Sequence, residues 1–259
     1  GFRAAGSGEE AVFGGERVSE GIEFTKLRLS VDELRQIPPP QLAAFAVSCY
    51  AINELNTMNR IYLCAENQQK LGEAAQIAEL NQRLVLARII NAKLFEFSEF
   101  AMLKGKYNRT QNKTLKDLAS AALEGFEELK GIPGYQLAKT IRNEATNHYQ
   151  LSPAAKSLEH LDRGANCDIF IHRLDGNSLF PLGEELIFGA GLHRAGKELL
   201  VLEGTALKSW LEWGLKAMEW TKEVHMRLFE EAILPHISPR TTERFIENIP
   251  DGLFQSPEM

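Results

Sequence analysis

The side chains best suited to chemistry lie in one short segment, residues 139–149, with the sequence KTIRNEATNHY. It contains Arg142, Asn143 and His148. Arginine is permanently charged and presents a planar fork of donors that matches phosphate oxygens. Histidine exchanges protons near neutral pH. Together these side chains are suited to phosphodiester chemistry.

The spacing and the flanking residues predict a helix that carries these side chains. Pro133-Gly134 can begin it, because proline is tolerated in a first turn, and Ser152-Pro153 can end it. Apolar residues recur at intervals of four and form a narrow stripe that can dock on a core: Leu137, Ile141 and Ala145.

The five residues between Arg142 and His148 set a geometric condition on this helix. On an ideal α-helix the two side chains lie about a third of a turn apart. They converge only if the helix loosens near Tyr149, or if a second subunit supplies one of them.

Arg142-Asn143 followed by His148 resembles the Arg-polar-x-His motif of the HEPN superfamily. These all-α domains include many metal-independent RNases of toxin and antiphage systems. The resemblance implies a motif near the end of a late helix, and two protomers whose motif helices form a composite RNase site. It further implies that no cofactor is needed.

The resemblance also implies a role for each motif residue. His148 would handle the proton of the attacking 2′-hydroxyl or of the leaving oxygen, and Arg142 would stabilise charge on the phosphate. Asn143 would orient one of these groups. The implied partners are RNA, a second copy of the chain, and an antitoxin or another regulatory protein.

Two other interpretations of the motif stay open. A catalytically inactive HEPN-like module would bind RNA, a nucleotide or a partner protein without cleaving anything. Alternatively, Arg142 is a surface arginine and His148 a histidine at a helix end that interacts with the helix dipole.

A basic run stands out in a chain whose net charge is −6. Residues 104–116 contain no acidic residue, and the predicted RNA-binding side chains lie there: Lys104, Lys106, Tyr107, Arg109 and Lys113. The lysines and arginine suit phosphates, and the tyrosine can stack on a base. Because the chain as a whole is acidic, any RNA contact must be local. The alternative is an ordinary solvated loop between helices.

Several other kinds of site are not supported by the sequence. None of the six histidines has a glutamate three residues before it, as a di-iron bundle requires. The zinc motif H-E-x-x-H, a C-x-x-C pair and a Walker A sequence are absent, so no metal site is predicted. The three cysteines are expected to be small core residues.

Glu9, Glu10 and Glu16 interrupt any signal-peptide core. The apolar run Leu42–Val47 is much shorter than the roughly 20 residues that span a bilayer. We therefore expect a cytoplasmic protein without a membrane segment.

The hydrophobic periodicity predicts an all-α fold with a small inserted β-hairpin at about 166–190. A triple proline at 38–40 begins a long helix to about Lys70, and a second long helix follows Gly72 antiparallel to the first. A third helix is predicted over about Thr114–Lys130, before the motif helix.

The C-terminal half is predicted to contain a long Trp-rich helix over Glu198–Leu234, either central or shared with a partner subunit. A last short helix is expected from Pro239 through Phe245. These elements would form one domain, residues 31–249, between a flexible tail at 1–30 and a frayed tail at 250–259. Within the first tail, residues 23–29 alternate weakly and predict a short extended piece.

Overall fold

The computed structural model describes residues 22–65, 71–105, 110–146, 151–174, 177–199, 201, 205–237 and 242–247. Most of these residues are helical, and among them β structure is confined to one two-stranded antiparallel sheet and one isolated bridge. The predicted all-α fold with a small antiparallel β element is confirmed. Contacts divide the chain into a helical unit, residues 29–240, and a second unit formed by the two ends.

The helical unit begins with α1 (Val31–Leu34), α2 (Pro39–Cys64) and α3 (Glu73–Ala101). Ser30 and Glu33 form a reciprocal cap on α1, in which the Glu33 carboxylate accepts from the Ser30 N–H at 2.9 Å. Pro38 is the N-cap residue of α2, and Pro39 and Pro40 lie in its first turn, where their missing N–H has no helical partner. α2 ends at Cys64, earlier than predicted, and residues 66–70 lie outside the described residues.

α2 and α3 are antiparallel, as predicted. Lys93 on α3 lies 3.3 Å from the Glu54 carboxylate on α2. Ten residues earlier on α3, the Arg83 guanidinium lies 4.9 Å from the ring centre of Tyr62, which is eight residues later on α2. Since the residue number falls along α3 while it rises along α2, the two helices run in opposite directions.

Two further helices lead to the motif: α4 (Lys113–Lys130) and α5 (Gly134–Ile141). The Asn112 side chain caps α4 by accepting from the Leu115 N–H at 3.0 Å, so the helix begins one residue before the predicted Thr114. After α5 the chain continues as a π-helical turn over Arg142–Thr146.

The chain after the motif contains α6 (Leu151–Ser157) and a 3₁₀ turn over Leu158–His160. Ser152-Pro153 was predicted to end the motif helix, but both residues lie inside α6. Pro153 is the third residue of α6, within the first turn, where proline is tolerated.

The predicted β-hairpin is reduced to a single antiparallel bridge between Phe170 and Leu179, whose backbone groups exchange hydrogen bonds of 3.0 and 2.8 Å. Its second arm was expected to reach residue 188, and this is wrong. Residues 181–198 are helical instead: α7 (Pro181–Gly183), a π-helical stretch Glu184–Gly189, and α8 (Ala190–Glu198).

The helical alternative is stabilised by α3. Arg88 makes a two-contact ion pair with the Glu184 carboxylate, and its guanidinium lies 5.2 Å from the ring centre of Phe188. Pro181 in the first turn also favours a helix start. A partner almost a hundred residues away therefore outweighs the strand propensity of this stretch.

The longest C-terminal helix is α9 (Ala206–Ala232). It begins later than the predicted Glu198, because Glu198 is the last residue of α8. Its tryptophans fill the centre of the helical unit. Trp213 stacks on Phe95 of α3 with ring centres 5.0 Å apart, and Trp220 lies 5.2 Å from Phe126 of α4. α9 is therefore central, one of the two predicted possibilities.

The second unit contains β1 (Ile22–Lys26) and β2 (Glu243–Glu247), paired antiparallel with Phe24 opposite Phe245. β1 confirms the predicted extended piece. The last short helix is wrong over residues 243–245, which are in β2; residues 238–241 lie outside the described residues. The Arg28 guanidinium, 2.9 Å from the Glu243 carboxylate, holds the pKa of that carboxyl below its ordinary value.

The cysteines only partly follow the prediction of small core residues. Cys49 on α2 is half-buried, and burial raises the pKa of its thiol. Cys64 and Cys167 are exposed, so the prediction is wrong for these two. They lie in the last turn of α2 and in the non-helical stretch after residue 160.

Candidate functional site

The motif segment is positioned by α5. Of the predicted apolar stripe, Leu137 and Ile141 are almost fully buried, and Ala145, in the π-helical turn, is half-buried against the core. α5 packs so closely on α9 that a Cβ at Gly134 would lie 1.9 Å from the Ser209 carbonyl oxygen. The absence of a side chain at Gly134 therefore allows the two backbones to approach.

Arg142 begins the π-helical turn and lies over α3. Its guanidinium lies 5.4 Å from the ring centre of Phe95 and 3.8 Å from a carboxylate oxygen of Glu99. The second distance is longer than a hydrogen bond. About 30% of the Arg142 side chain is exposed. The guanidinium is thus held by stacking and by a loose ion pair, and it reaches solvent.

Asn143 is exposed, whereas Glu144 is fixed by an ion pair with Arg194 of α8. Arg194 is 6% exposed and also donates to Glu198 at 2.8 Å. Burial by itself lowers the pKa of Arg194, but the Glu198 and Glu144 carboxylates outweigh it, so the net pKa is raised. This partly buried ion pair links the π-helical turn to α8.

His148 lies outside the described residues, so its distance from Arg142 is not defined by the structure. The π-helical hydrogen bonding over Arg142–Thr146 changes the angle between successive side chains. Regular α-helical geometry therefore does not hold over Arg142–Thr146. Loosening near Tyr149 was one of the two conditions for convergence, and Tyr149 lies outside the described residues.

The basic run begins beside Arg142. Lys104 is exposed, and its N–H donates to the carbonyl oxygen of Glu99 at 2.8 Å, at the end of α3. Glu99 is also the residue whose carboxylate faces Arg142. Backbone and side chain of one residue thus bring the start of the basic run and the motif arginine to the same end of α3.

Of the other predicted RNA-binding residues, the structure describes Lys113. Lys113 lies in the first turn of α4, where its amine is 2.5 Å from the Asp117 carboxylate. Its charge is therefore partly neutralised. Lys106, Tyr107 and Arg109 lie outside the described residues.

Two histidines that the sequence did not single out meet beside Arg194. His160 and His193 have ring centres 5.9 Å apart, and the Nδ1 atom of His193 lies 3.3 Å from the His160 carbonyl oxygen. The Nδ1 atom of His160 is buried without a hydrogen-bond partner. The only sequence signal is the dipeptide His193-Arg194, and nothing in it reveals partners more than 30 residues away.

A third histidine, His172, lies two residues after Phe170 of the antiparallel bridge. It is exposed, and its Nδ1 atom accepts from the Leu174 N–H at 3.0 Å. Its own N–H donates to the Ser178 hydroxyl, also at 3.0 Å. His172 is therefore engaged in its own turn, and these contacts give it no link to the motif.

Comparisons of the chain with models of protein families, with curated proteins and with solved structures found no match. Within the part of the chain that the structure describes, no group of three or more His, Cys, Asp or Glu side chains is arranged to hold a metal ion. None of the described helices is long and apolar enough to cross a bilayer.

Proposed function

We propose that this chain is a metal-independent endoribonuclease of the HEPN type that acts as a homodimer. The observation that carries the proposal is the state of Arg142, whose stacked guanidinium is partly exposed and only loosely paired with Glu99. A phosphate can replace that carboxylate, because a charge-assisted hydrogen bond is stronger than an ion pair at 3.8 Å. Lys104 at the same end of α3 adds a second positive charge.

In the proposed reaction, the 2′-hydroxyl of RNA attacks the adjacent phosphate and expels the 5′-oxygen of the next nucleotide. His148 moves the proton of the attacking or the leaving oxygen, and Arg142 stabilises charge on the phosphate. Asn143, exposed on the π-helical turn, orients one of these groups. The products are a 2′,3′-cyclic phosphate and a 5′-hydroxyl end. We place this activity in a cytoplasmic toxin or antiphage setting, controlled by an antitoxin or another regulatory protein.

The decisive experiment incubates purified protein with labelled RNA, and with DNA of the same sequence, in excess chelator. We expect RNA cleavage that leaves a 2′,3′-cyclic phosphate or its hydrolysis product, and no cleavage of DNA, which lacks the 2′-hydroxyl. His148→Ala should lower the rate by about 100- to 10,000-fold, the usual contribution of a general acid or base. Arg142→Ala should also lower it.

Arg163→Ala is the matched control for loss of a cation, because Arg163 is exposed in the loop after His160. It should cleave RNA at the wild-type rate. Lys104→Ala should weaken RNA binding mildly and reduce its salt dependence. Intact RNA after incubation with wild-type protein, together with equal growth of cells expressing wild type and His148→Ala, would contradict the nuclease proposal.

A second candidate is a catalytically inactive HEPN-like module that binds RNA, a nucleotide or a partner protein. The structural contacts of the motif favour it: Arg142 stacks on Phe95, and Glu144 is tied to the buried Arg194. Such contacts give these two residues a role in folding that requires no catalytic activity. RNA binding by the wild-type protein without any cleavage would support this candidate over the nuclease.

A further inference from the structure

A cleft of about 280 Å³ opens between α2, α3 and α9, on residues that the proposed RNA chemistry does not use. Its walls are mostly apolar: Ile90, Leu94, Trp210, Leu211, Leu215 and Met218. Leu215 is 62% exposed, whereas Leu94 is 1% exposed and Trp210 is 2% exposed. The cleft therefore leads from the surface to the centre of the helical unit.

One polar residue of the cleft lacks a partner for one of its atoms. Asn91 is 2% exposed, and its Nδ2 donates to the Ala138 carbonyl oxygen of α5 at 3.0 Å. That bond fixes the orientation of the side-chain amide, because a flipped amide would place its oxygen, an acceptor, against the Ala138 carbonyl oxygen, also an acceptor. The Oδ1 atom is buried and accepts no hydrogen bond. Buried polar atoms are nearly always satisfied, and this unsatisfied acceptor belongs to a residue that lines the cleft.

We propose that the cleft binds a small apolar molecule that carries one hydrogen-bond donor, a hydroxyl or N–H group that donates to Asn91 Oδ1. Ligand sites combine apolar walls with a few placed polar groups in this way. The volume is about twice that of a cavity of roughly 150 Å³ that holds benzene, so a ligand of about a dozen non-hydrogen atoms fits. This proposal does not depend on RNA cleavage.

The test uses two ligands, 4-propylphenol and its O-methyl ether, 4-propylanisole, in which a methyl group replaces the hydroxyl hydrogen. Isothermal titration calorimetry of the full chain should show one molecule of 4-propylphenol bound per chain. The ether keeps the apolar body and the oxygen but cannot donate. It should bind at least about tenfold more weakly, because it cannot donate a hydrogen bond to Asn91 Oδ1.

Gly214→Leu provides the matched protein variant. Gly214 lines the cleft from α9, and a Cβ built there meets no atom within 4 Å. The new side chain should fill the cleft and lower 4-propylphenol binding at least about tenfold while the fold is kept, because glycine is unfavourable inside a helix. Lys216→Ala, exposed on the same helix, should bind like wild type.

Three results would overturn the proposal. The first is no binding of 4-propylphenol by wild type, and the second is equal binding of phenol and ether. The third is unchanged binding by Gly214→Leu, which would locate the ligand elsewhere. If 4-propylphenol fails to bind and Gly214→Leu instead converts a dimer to a monomer in sedimentation, a second copy of the chain occupies the cleft.

Discussion

Arg142 illustrates how a single residue can satisfy the fold and remain available for chemistry. Its guanidinium covers the ring of Phe95, which belongs to the buried core, while part of the side chain stays in solvent. Arginine can do this because its planar group stacks through its face and donates through its edge. Lysine at this position would lose the stacking and the forked donors together.

His225 carries the clearest pH dependence at the residue scale. It lies on α9, its Nδ1 atom is 2.8 Å from the buried Ser48 hydroxyl, and its ring stacks on Phe45. Burial lowers its pKa from the ordinary value, so the folded state disfavours the charged form. As pH falls below about 6.5, the unfolded chain takes up this proton first and stability is lost.

We therefore expect the free energy of unfolding, measured with urea, to fall between pH 7.5 and pH 5.5. His225→Asn keeps an amide near the Ser48 hydroxyl but cannot titrate, so it should remove part of that fall. Met226→Ala is the control, because Met226 is exposed beside His225 on α9 and has no titratable group, and it should retain the full dependence. An unchanged pH dependence in His225→Asn would mean that other groups account for the effect.

At the scale of elements, the contact between α5 and α9 positions the motif. Gly134 lies where α5 meets α9, and any Cβ there would overlap the Ser209 carbonyl oxygen and approach the Trp213 side chain at 2.8 Å. Neither neighbour can move freely, because one is helix backbone and the other is in the core. This contact therefore also positions the π-helical turn that follows α5.

Gly134→Ala should therefore destabilise the fold by about 1–3 kcal/mol, the usual cost of forcing extra atoms into a packed site. Gly214→Ala is the matched control on the partner helix, where a Cβ meets open space. It should stabilise by about 0.5–1 kcal/mol through helix propensity. Thermal or urea unfolding measures both, and equal effects in the two variants would show that backbone propensity, not the close approach, governs Gly134.

At the scale of the whole molecule, the wide apolar face of α9 has an explanation within one chain. Its tryptophans pack on α3, α4 and the π-helical stretch at residues 184–189, and Leu211, Leu215 and Met218 line the cleft. The width of this face therefore no longer calls for a partner subunit. The proposal of a homodimer rests on the motif, which needs a second copy to form a composite site.

Sedimentation velocity should show a dimer at micromolar concentration. Mixing Arg142→Ala with His148→Ala then tests whether a site combines residues of two chains. If each site takes its arginine from one chain and its histidine from the other, about a quarter of the wild-type activity should return, because half of randomly formed dimers are mixed and each has one intact site of two. A monomer at high concentration, or no recovery on mixing, would contradict the composite site.

The sequence by itself determined the helical class, the antiparallel pair α2 and α3, and the start of the motif helix. These features depend on local information: apolar periodicity and prolines at first turns. The same local information predicted one continuous helix from Glu198 and a hairpin to residue 188, and both predictions were wrong.

Tertiary structure decided those segments because their stabilising partners are distant in sequence. Arg88 holds the helical stretch at Glu184, and β2 pairs with a strand at the other end of the chain. For the site, residue types indicated Arg142 as a candidate. Its ring and carboxylate neighbours on α3 arise only when the helices pack. The same is true of the Glu144–Arg194 ion pair and of the unpaired Asn91 oxygen. No local pattern encodes a contact that the chain makes across 50 residues.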